Sequence, residues 1–136
     1  MTIVLCLDKN GGRSFNNRRQ SRDRKLIDNL CDLAGEREIY MAPYSEKLFA
    51  HTGHPTVARE DYLDLVPEDG ICFCEREAVS PVLGRASQIV IYRWNKEYPA
   101  DRVFDVDLGA EGFRFYRKTD FPGTSHNDID REVYVR

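Results

Sequence analysis

The fold of this chain is decided by the stretch Ile71-Cys-Phe-Cys-Glu-Arg-Glu-Ala-Val-Ser-Pro-Val-Leu-Gly-Arg-Ala-Ser-Gln-Ile-Val-Ile-Tyr92. It opens and closes with short apolar runs, residues 71–74 and 88–92, which are typical of buried strands. The segment from Ser80 through Leu83 between them predicts a helical turn. Strand, helix and strand in this order predict two parallel strands joined by a covering helix.

The chain upstream repeats this rhythm. Residues 2–7 form an apolar run that ends in a turn, and residues 38–42 form another, so both are predicted to be strands. Between them a helix is predicted, with Ser21 as candidate N-cap and Gly35 as its stop. Its apolar residues recur at helical spacing: Leu26, Ile27, Leu30, Leu33 and Ala34.

Two shorter helices are predicted before residue 71. Ser45 followed by Glu46 is typical of a helix N-terminus, and this helix would stop at Gly53. Residues 60–66 have the pattern of another short helix. The alternation of strands and helices therefore continues through the first two thirds of the chain, which favours a parallel sheet.

The last third has a different pattern. Residues 103–106, 113–117 and 132–136 alternate apolar and polar side chains, as half-exposed strands do, which predicts antiparallel strands at the edge of the same sheet. The sequence has no linker or repeat. We therefore predict one α/β domain over residues 1–136, with a mixed, mostly parallel sheet, flanking helices and antiparallel C-terminal strands.

Composition describes an ordinary globular protein, with 41% hydrophobic and 32% charged residues in 136. A net charge of −3 and a pI near 5.6 argue against general attraction to nucleic acid or to anionic membranes. No apolar run is long enough for a signal peptide or a bilayer span, so we expect a cytoplasmic protein.

Cysteine and histidine patterns give no metal site. The four cysteines lie inside apolar runs, as free buried cysteines do, and the Cys72-Phe-Cys74 spacing is unusual for zinc. His51, His54 and His126 match no hydrolytic metal motif, and no P-loop, Rossmann fingerprint or nucleophile elbow is present. We predict neither a metal nor a disulfide framework.

The main charge feature is the Arg-rich segment, residues 9–25, with seven Lys or Arg and one acid, Asp23. Guanidinium groups cannot leave water without partners, because each would cost several kcal/mol. The segment is therefore expected to lie in solvent or to face an anion. Two interpretations remain open: a solvated turn, or the mobile rim of a binding cleft.

The order and spacing of these elements resemble dihydrofolate reductase over nearly the whole chain. Residues 71–92 can be laid without gaps on that family's strand, glycine turn, helix and A-x-x-L-Y-L strand. Asp101-Arg-Val-Phe104 resembles its D-T-x-F element, and Glu132-Val-Tyr-Val resembles its final strand. Leu5-Cys-Leu-Asp8 and the glycines after it resemble the strand before the family's mobile active-site loop.

The resemblance places Asp23 where the family has the acid that hydrogen-bonds the pterin ring. A half-buried carboxylate can accept two donors from an amidine-like ring edge, which is the chemistry implied there. The alternative is local: Asp23 could pair with Arg22 or Arg24 at a helix start, where an acid also suits the helix dipole. Both interpretations remain open from the sequence.

The cofactor motifs of the family are altered. Glu75-Arg76-Glu77 replaces the consecutive glycines that let the pyrophosphate approach, and Ala42-Pro-Tyr-Ser45 replaces the G-R-x-[ST] turn. By the same resemblance, the stretch between Ser45 and Ile71 is too short to hold the strand and helix that normally clamp the adenosine. These departures predict that the chain lacks NADPH binding, so no cofactor is expected, and reductase chemistry is lost with it.

The candidate ligand site is a cleft beside the Arg-rich segment that takes a small anionic or nucleotide-like molecule, since Arg forks bind phosphate and carboxylate bidentately. We assign seven residues to it: Asp23, Arg13, Arg18, Arg19, Arg22, Ser45 and Arg93. No catalytic residue is predicted. The alternatives are RNA binding by the Arg-rich segment, with Phe15, Tyr92, Trp94 and Tyr98 as stacking faces, and a functional pteridine-type reductase.

Overall fold

A computed structural model describes all residues, 1–136. It contains ten strands: β1 Thr2–Leu7, β2 Gly12–Phe15, β3 Arg18–Arg19, β4 Ile39–Met41, β5 Thr56–Ala58, β6 Ile71–Phe73, β7 Gln88–Arg93, β8 Arg102–Val103, β9 Arg114–Phe121 and β10 Ile129–Val135. The helices are α1 Arg24–Ala34, α2 Tyr62–Leu65 and two 3₁₀ helices, Pro43–Phe49 and Ser80–Arg85. No helix is both long and apolar enough to pass through a bilayer.

Seven strands form the main sheet in the spatial order β5-β4-β6-β1-β7-β10-β9. The pairs β4/β5, β4/β6, β1/β6 and β1/β7 are parallel, whereas β10 runs antiparallel to both β7 and β9. The predicted α/β fold class, mostly parallel with antiparallel C-terminal strands, is therefore confirmed. The strands that the opening stretch predicts, β6 and β7, flank the central strand β1.

Both faces of the sheet are covered, because alternate residues of β1 enter two separate apolar clusters. Ile3, Leu5 and Leu7 pack on one face, and Val4 packs on the other with the apolar side of α1. A strand buried on both faces has an uninterrupted apolar sequence, which explains why residues 2–7 are so readily predicted. Burying each such side chain contributes about 1.5–3 kcal/mol.

Helix α1 begins at Arg24, and its N-cap is Asp23 instead of the predicted Ser21. The Asp23 carboxylate accepts the backbone N–H groups of Lys25 and Leu26, which a serine two residues earlier cannot reach. Gly35 ends the helix as predicted, with a φ of 64° that favours glycine.

The second predicted helix is a 3₁₀ helix, and the predicted cap is wrong. The helix starts at Pro43 with Ala42 before it, so Ser45 lies inside the first turn. The Ser45 hydroxyl donates instead to the Glu75 carboxylate, which lies just after β6. Proline fixes a helical φ and needs no hydrogen bond at a first turn, which moves the start of the helix to residue 43.

Two other local predictions need correction. Residues 45–71 do hold a strand and a helix, β5 and α2, although these are only three and four residues long. Residues 103–106 do not join the main sheet: only Arg102 and Val103 form a strand, β8, which pairs with β2 in a separate three-stranded sheet. Short strands of this kind have no clear alternation in sequence.

The Arg-rich segment is not a simple loop. Residues 12–15 and 18–19 are strands β2 and β3, which pair antiparallel across a two-residue turn. Asn16 and Asn17 make this turn with φ values of 51° and 59°, in the left-handed region that asparagine tolerates better than most residues. The segment therefore approaches the main sheet as a hairpin.

Candidate functional site

Asp23 lies at the junction between α1 and the loop joining β9 to β10. One carboxylate oxygen accepts the N–H groups of Lys25, at 2.9 Å, and Thr124, at 3.0 Å. The other accepts the Ser125 N–H at 2.8 Å and lies 3.0 Å from Nδ1 of His126. The side chain has no exposure to solvent. Its hydrogen-bonding capacity is therefore used within the chain.

These contacts determine the ionisation of Asp23. Burial raises the pKa of its carboxyl, but hydrogen bonds from the Thr124 and Ser125 backbone, from His126 and from the Lys25 backbone outweigh burial and hold the pKa well below its usual range. A carboxylate that accepts several N–H donors is stabilised in its charged form. Asp23 is consequently a buried anion at neutral pH.

The β9–β10 loop reaches Asp23 because residue 123 is glycine. A Cβ at Gly123 would lie 2.5 Å from a carboxylate oxygen of Asp23 and 2.9 Å from the side chain of Ile129. Neither neighbour has room to retreat, because Asp23 and Ile129 are both buried. The glycine therefore permits the close approach on which the hydrogen bonds of Asp23 depend.

His126 is held on three sides. Its Nδ1 faces Asp23, and its Nε2 lies 3.0 Å from the Ser21 hydroxyl and 3.1 Å from the Tyr98 hydroxyl. The ring stacks on Trp94 with centroids 4.6 Å apart. Only 5% of the residue is exposed. This cluster could not be predicted from the sequence, because its members lie up to 105 residues apart and match no spacing motif.

A pocket of about 390 Å³ opens beside Asp23, between α1 and the first 3₁₀ helix. Ten residues line it: Arg22, Asp23, Arg24, Ile27, Lys47, Leu48, Ala50, His51, Thr124 and Ser125. We call it the α1 pocket. Its cations come from two elements, so it combines positive charge with a small apolar surface. Arg22 and Asp23 were predicted to lie in this site, whereas Lys47, on the first 3₁₀ helix, and His51, just after the end of that helix, were not.

The cations of the α1 pocket differ in their partners. His51 lies 2.8 Å from the Asp28 carboxylate. Arg22, Arg24 and Lys47 are exposed, and none of them has a carboxylate within ion-pair distance. Three positive charges thus face one pocket without a neutralising partner.

Arg19 and Ser45, two other predicted site residues, meet at Glu75. The Arg19 guanidinium donates to both carboxylate oxygens of Glu75, at 2.8 and 2.9 Å, and the Ser45 hydroxyl donates to one of them at 2.7 Å. The Tyr44 ring lies under the guanidinium groups of both Arg19 and Arg76. The anion that faces this part of the Arg-rich segment therefore belongs to the chain itself.

Arg13 lies apart from this group and is buried. Its guanidinium donates to the carbonyl of Glu77 at 2.7 Å and to that of Cys74 at 3.5 Å, while its Nε has no partner. Burial lowers the pKa of Arg13, and the nearby Cys74, Tyr62 and Glu77 act against that shift. Arg13 was expected to reach solvent or to face an anion, but it is buried and its guanidinium donates to two backbone carbonyls instead.

The remaining predicted residues are dispersed. Arg18 is exposed and borders an open hollow with Arg19, Ser21, Arg22 and Tyr44. Arg93, at the end of β7, pairs with Glu132 of β10 at 3.0 Å and lines none of these hollows. The structure thus brings Asp23 and Arg22 together at the α1 pocket and Arg19 and Ser45 together at Glu75, and it places Arg18, Arg19 and Arg22 around one open hollow.

No protein-family model matches this chain, and no curated protein matches it in sequence. Among solved structures, the chain is similar to dihydrofolate reductase from Enterococcus faecalis in a complex with NADP(H) and RAB-propyl. The TM-score is 0.68 at 7% sequence identity, over 99% of this chain and 95% of that chain. An identity this low shows the fold alone. The chain therefore has a dihydrofolate-reductase-like fold.

Proposed function

We propose that this chain is a dihydrofolate-reductase-like protein that has lost NADPH binding and reductase activity and binds a small anionic ligand in the α1 pocket. The observation that carries the proposal is the set of three exposed cations, Arg22, Arg24 and Lys47, which face one pocket without carboxylate partners. Arg forks and Lys ammonium groups are the protein's usual ligands for carboxylate and phosphate.

The position of Arg24 adds to this argument. It occupies the first turn of α1, which has no acidic residue, and a cation there opposes the positive end of the helix dipole. Such a placement destabilises a helix by about 0.3–1 kcal/mol. Because the Asp23 carboxylate already caps this helix end, a bound anion would offset the penalty by pairing with the Arg24 side chain.

Loss of NADPH binding is supported by Glu75. By the resemblance, a pyrophosphate would approach the turn after β6, where Glu75 now lies between Arg19 and Ser45. A second anion at this position would meet the carboxylate charge and would have to displace two guanidinium hydrogen bonds. The residues present therefore do not fit the cofactor, and no hydride donor is available for reductase chemistry.

RNA binding has less support than a small ligand. Two of the four aromatic residues suggested as stacking faces, Tyr92 and Trp94, are buried in the core. Arg13 and Arg19 make their contacts within the chain. An RNA strand would therefore find few bases to stack and only part of the Arg-rich charge.

The proposal is tested by thermal unfolding with a panel of phosphorylated and carboxylated metabolites and with NADPH. A ligand at a hundredfold its dissociation constant adds about 2.7 kcal/mol, which raises the midpoint by several degrees. We expect one or more anions to do so, NADPH to have no effect, and Arg24→Ala with Lys47→Ala to remove the shift.

The matched control is Arg114→Ala, an exposed arginine on β9 outside the pocket, which should keep the full ligand shift. If no anion in the panel stabilises the protein, or if the control loses the shift equally, the anion pocket is wrong. Stabilisation by NADPH would contradict the proposed loss of cofactor binding.

A further inference from the structure

The side chains of Ser21, His126 and Asp23 form a continuous hydrogen-bonded series. The Asp23 carboxylate lies 3.0 Å from Nδ1 of His126, and Nε2 of the same ring lies 3.0 Å from the Ser21 hydroxyl. A hydroxyl, a ring that can take its proton, and a carboxylate that orients the ring are the three parts of an activated serine. The arrangement is recognised by geometry, because such sites occur in any chain order.

The hydrogen-bond network fixes the roles of the two ring nitrogens. Asp23 is ionised and can only accept, so Nδ1 of His126 carries the proton that points at it. In the neutral ring, Nε2 then presents a lone pair to the hydroxyls of Ser21 and Tyr98. This is the tautomer in which a histidine can accept a proton from serine.

The three side chains of this hydrogen-bonded series differ in burial, and the difference suits a nucleophile at Ser21. Asp23 and His126 are buried, and Trp94 covers one face of the ring. Ser21 is only half-buried and borders the open hollow, of about 400 Å³, that Arg18, Arg19, Arg22 and Tyr44 also line. A substrate can therefore reach the hydroxyl while solvent is kept from the groups that activate it.

The backbone beside Ser21 offers donors to a developing negative charge. The N–H groups of Ser21 and Arg22 donate no hydrogen bond within the chain, and both residues lie between β3 and α1, outside any helix or strand. Unused N–H groups at and just after a nucleophile are the usual stabilisers of a tetrahedral oxyanion. The neighbouring arginines add a preference for an anionic substrate.

We propose that Ser21, His126 and Asp23 form a hydrolytic site for carboxylic esters that carry an anionic group. Ser21 and His126 are its catalytic residues, and Asp23 is a positioning residue that acts through His126. The proposal goes beyond anion binding in the α1 pocket and does not depend on it. Arg22 borders both the pocket and the hollow in front of Ser21, but Arg24 and Lys47 border only the pocket.

The reaction needs only the ester and water. The Ser21 oxygen bonds to the carbonyl carbon and its proton passes to Nε2 of His126, after which the bond from that carbon to the alkoxy oxygen breaks and the alcohol leaves with this proton. Water then attacks the acyl-serine and gives one proton to His126. The bond between the carbonyl carbon and the Ser21 oxygen breaks, and His126 returns the proton to Ser21, leaving a free acid.

A fluorophosphonate probe with peptide mass spectrometry tests the nucleophile directly. We expect the label on Ser21 of the full-length protein, and its loss in Ser21→Ala. Hydrolysis of mono-4-nitrophenyl succinate should fall by about 10²–10⁴-fold in kcat/KM in the same variant. Ser80→Ala, an exposed serine at the start of a 3₁₀ helix, is the matched control and should keep both properties.

Asp23→Asn separates positioning from folding. Asparagine is as good an N-cap as aspartate, so α1 should remain capped while the charge that orients His126 is lost. We expect kcat to fall with KM unchanged, and circular dichroism to show a folded protein. No label on Ser21 in the folded wild type, or equal hydrolysis by Ser21→Ala, would overturn the hydrolytic site whatever anions bind the α1 pocket.

Discussion

At the scale of single residues, Asp23 has three structural roles. It caps α1, holds the β9–β10 loop through two backbone N–H groups, and fixes the ring of His126. The sequence could predict that an acid lies at this helix start, because acids suit that position. It could not predict the rest, because Thr124 and His126 are about a hundred residues away and approach only after the sheet has formed.

The ionisation of Asp23 predicts a specific dependence of stability on pH. Its pKa is lower in the folded chain than the unfolded value of about 3.9, so its contribution is complete above about pH 5 and is lost as the pH falls toward the folded pKa. Asp23→Asn should lower the free energy of unfolding by about 1–3 kcal/mol at pH 7. The difference from wild type should shrink as the pH falls.

Urea unfolding of the two proteins between pH 7 and pH 2.5 measures this difference. Carboxyl groups that titrate equally in both proteins cancel, so the difference reports Asp23 and the His126 ring in contact with it. A difference that stays constant over the whole range would mean that the hydrogen bonds of Asp23 do not favour its charged form.

At the scale of elements, predictability follows the number of buried faces. The strands β1, β6 and β7 have apolar interiors because both faces of the sheet are covered, and the structure confirms them. The hairpin of β2 and β3 is rich in arginine and asparagine, so it has the composition of a loop. Its strands exist because the Asn16-Asn17 turn and the small second sheet hold them.

The turn of this hairpin predicts that two substitutions at Asn17 will have different effects on stability. Asn17 has a φ of 59°, which glycine adopts freely and a β-branched residue does not. Asn17→Gly should leave stability unchanged or raise it by a few tenths of a kcal/mol, because Asn-Gly is the preferred pair for such turns. Asn17→Val should lower it by about 1–2 kcal/mol.

Thermal unfolding of the two variants beside wild type checks the turn. Because residue 17 is exposed, neither change alters the core, and any difference reports the backbone conformation. Equal stabilities for glycine and valine would show that the chain does not adopt this turn in solution.

At the scale of the whole molecule, the fold could be predicted from the order of the elements, whereas the chemistry depends on single contacts. Strand and helix order was enough to predict a dihydrofolate-reductase-like sheet, although the identity to the E. faecalis enzyme is only 7%. The contacts of Glu75 were beyond prediction, since its carboxylate joins the hairpin to the first 3₁₀ helix from the end of β6. The resemblance to that family indicated only that an acid lies where the family has a glycine.

Glu75→Gln tests how that carboxylate holds the molecule together. Arg19 would lose its ion pair while remaining half-buried, so the free energy of unfolding should fall by about 1–3 kcal/mol. Inorganic phosphate should then stabilise the variant more than wild type, because Arg19 and Ser45 would lack their internal anion. Equal phosphate shifts in the two proteins would show that Glu75 does not fill an anion site.

The central place of β1 has a consequence for how the protein is made. Thr2 pairs with Ile71 on one side and with Gln88 on the other, so β1 leaves the ribosome long before either of the strands beside it in the sheet. During that interval its apolar side chains have no sheet to enter. Contacts between such distant segments slow folding and leave hydrophobic surface exposed. We therefore expect the nascent chain to need chaperones that cover β1 until β7 emerges.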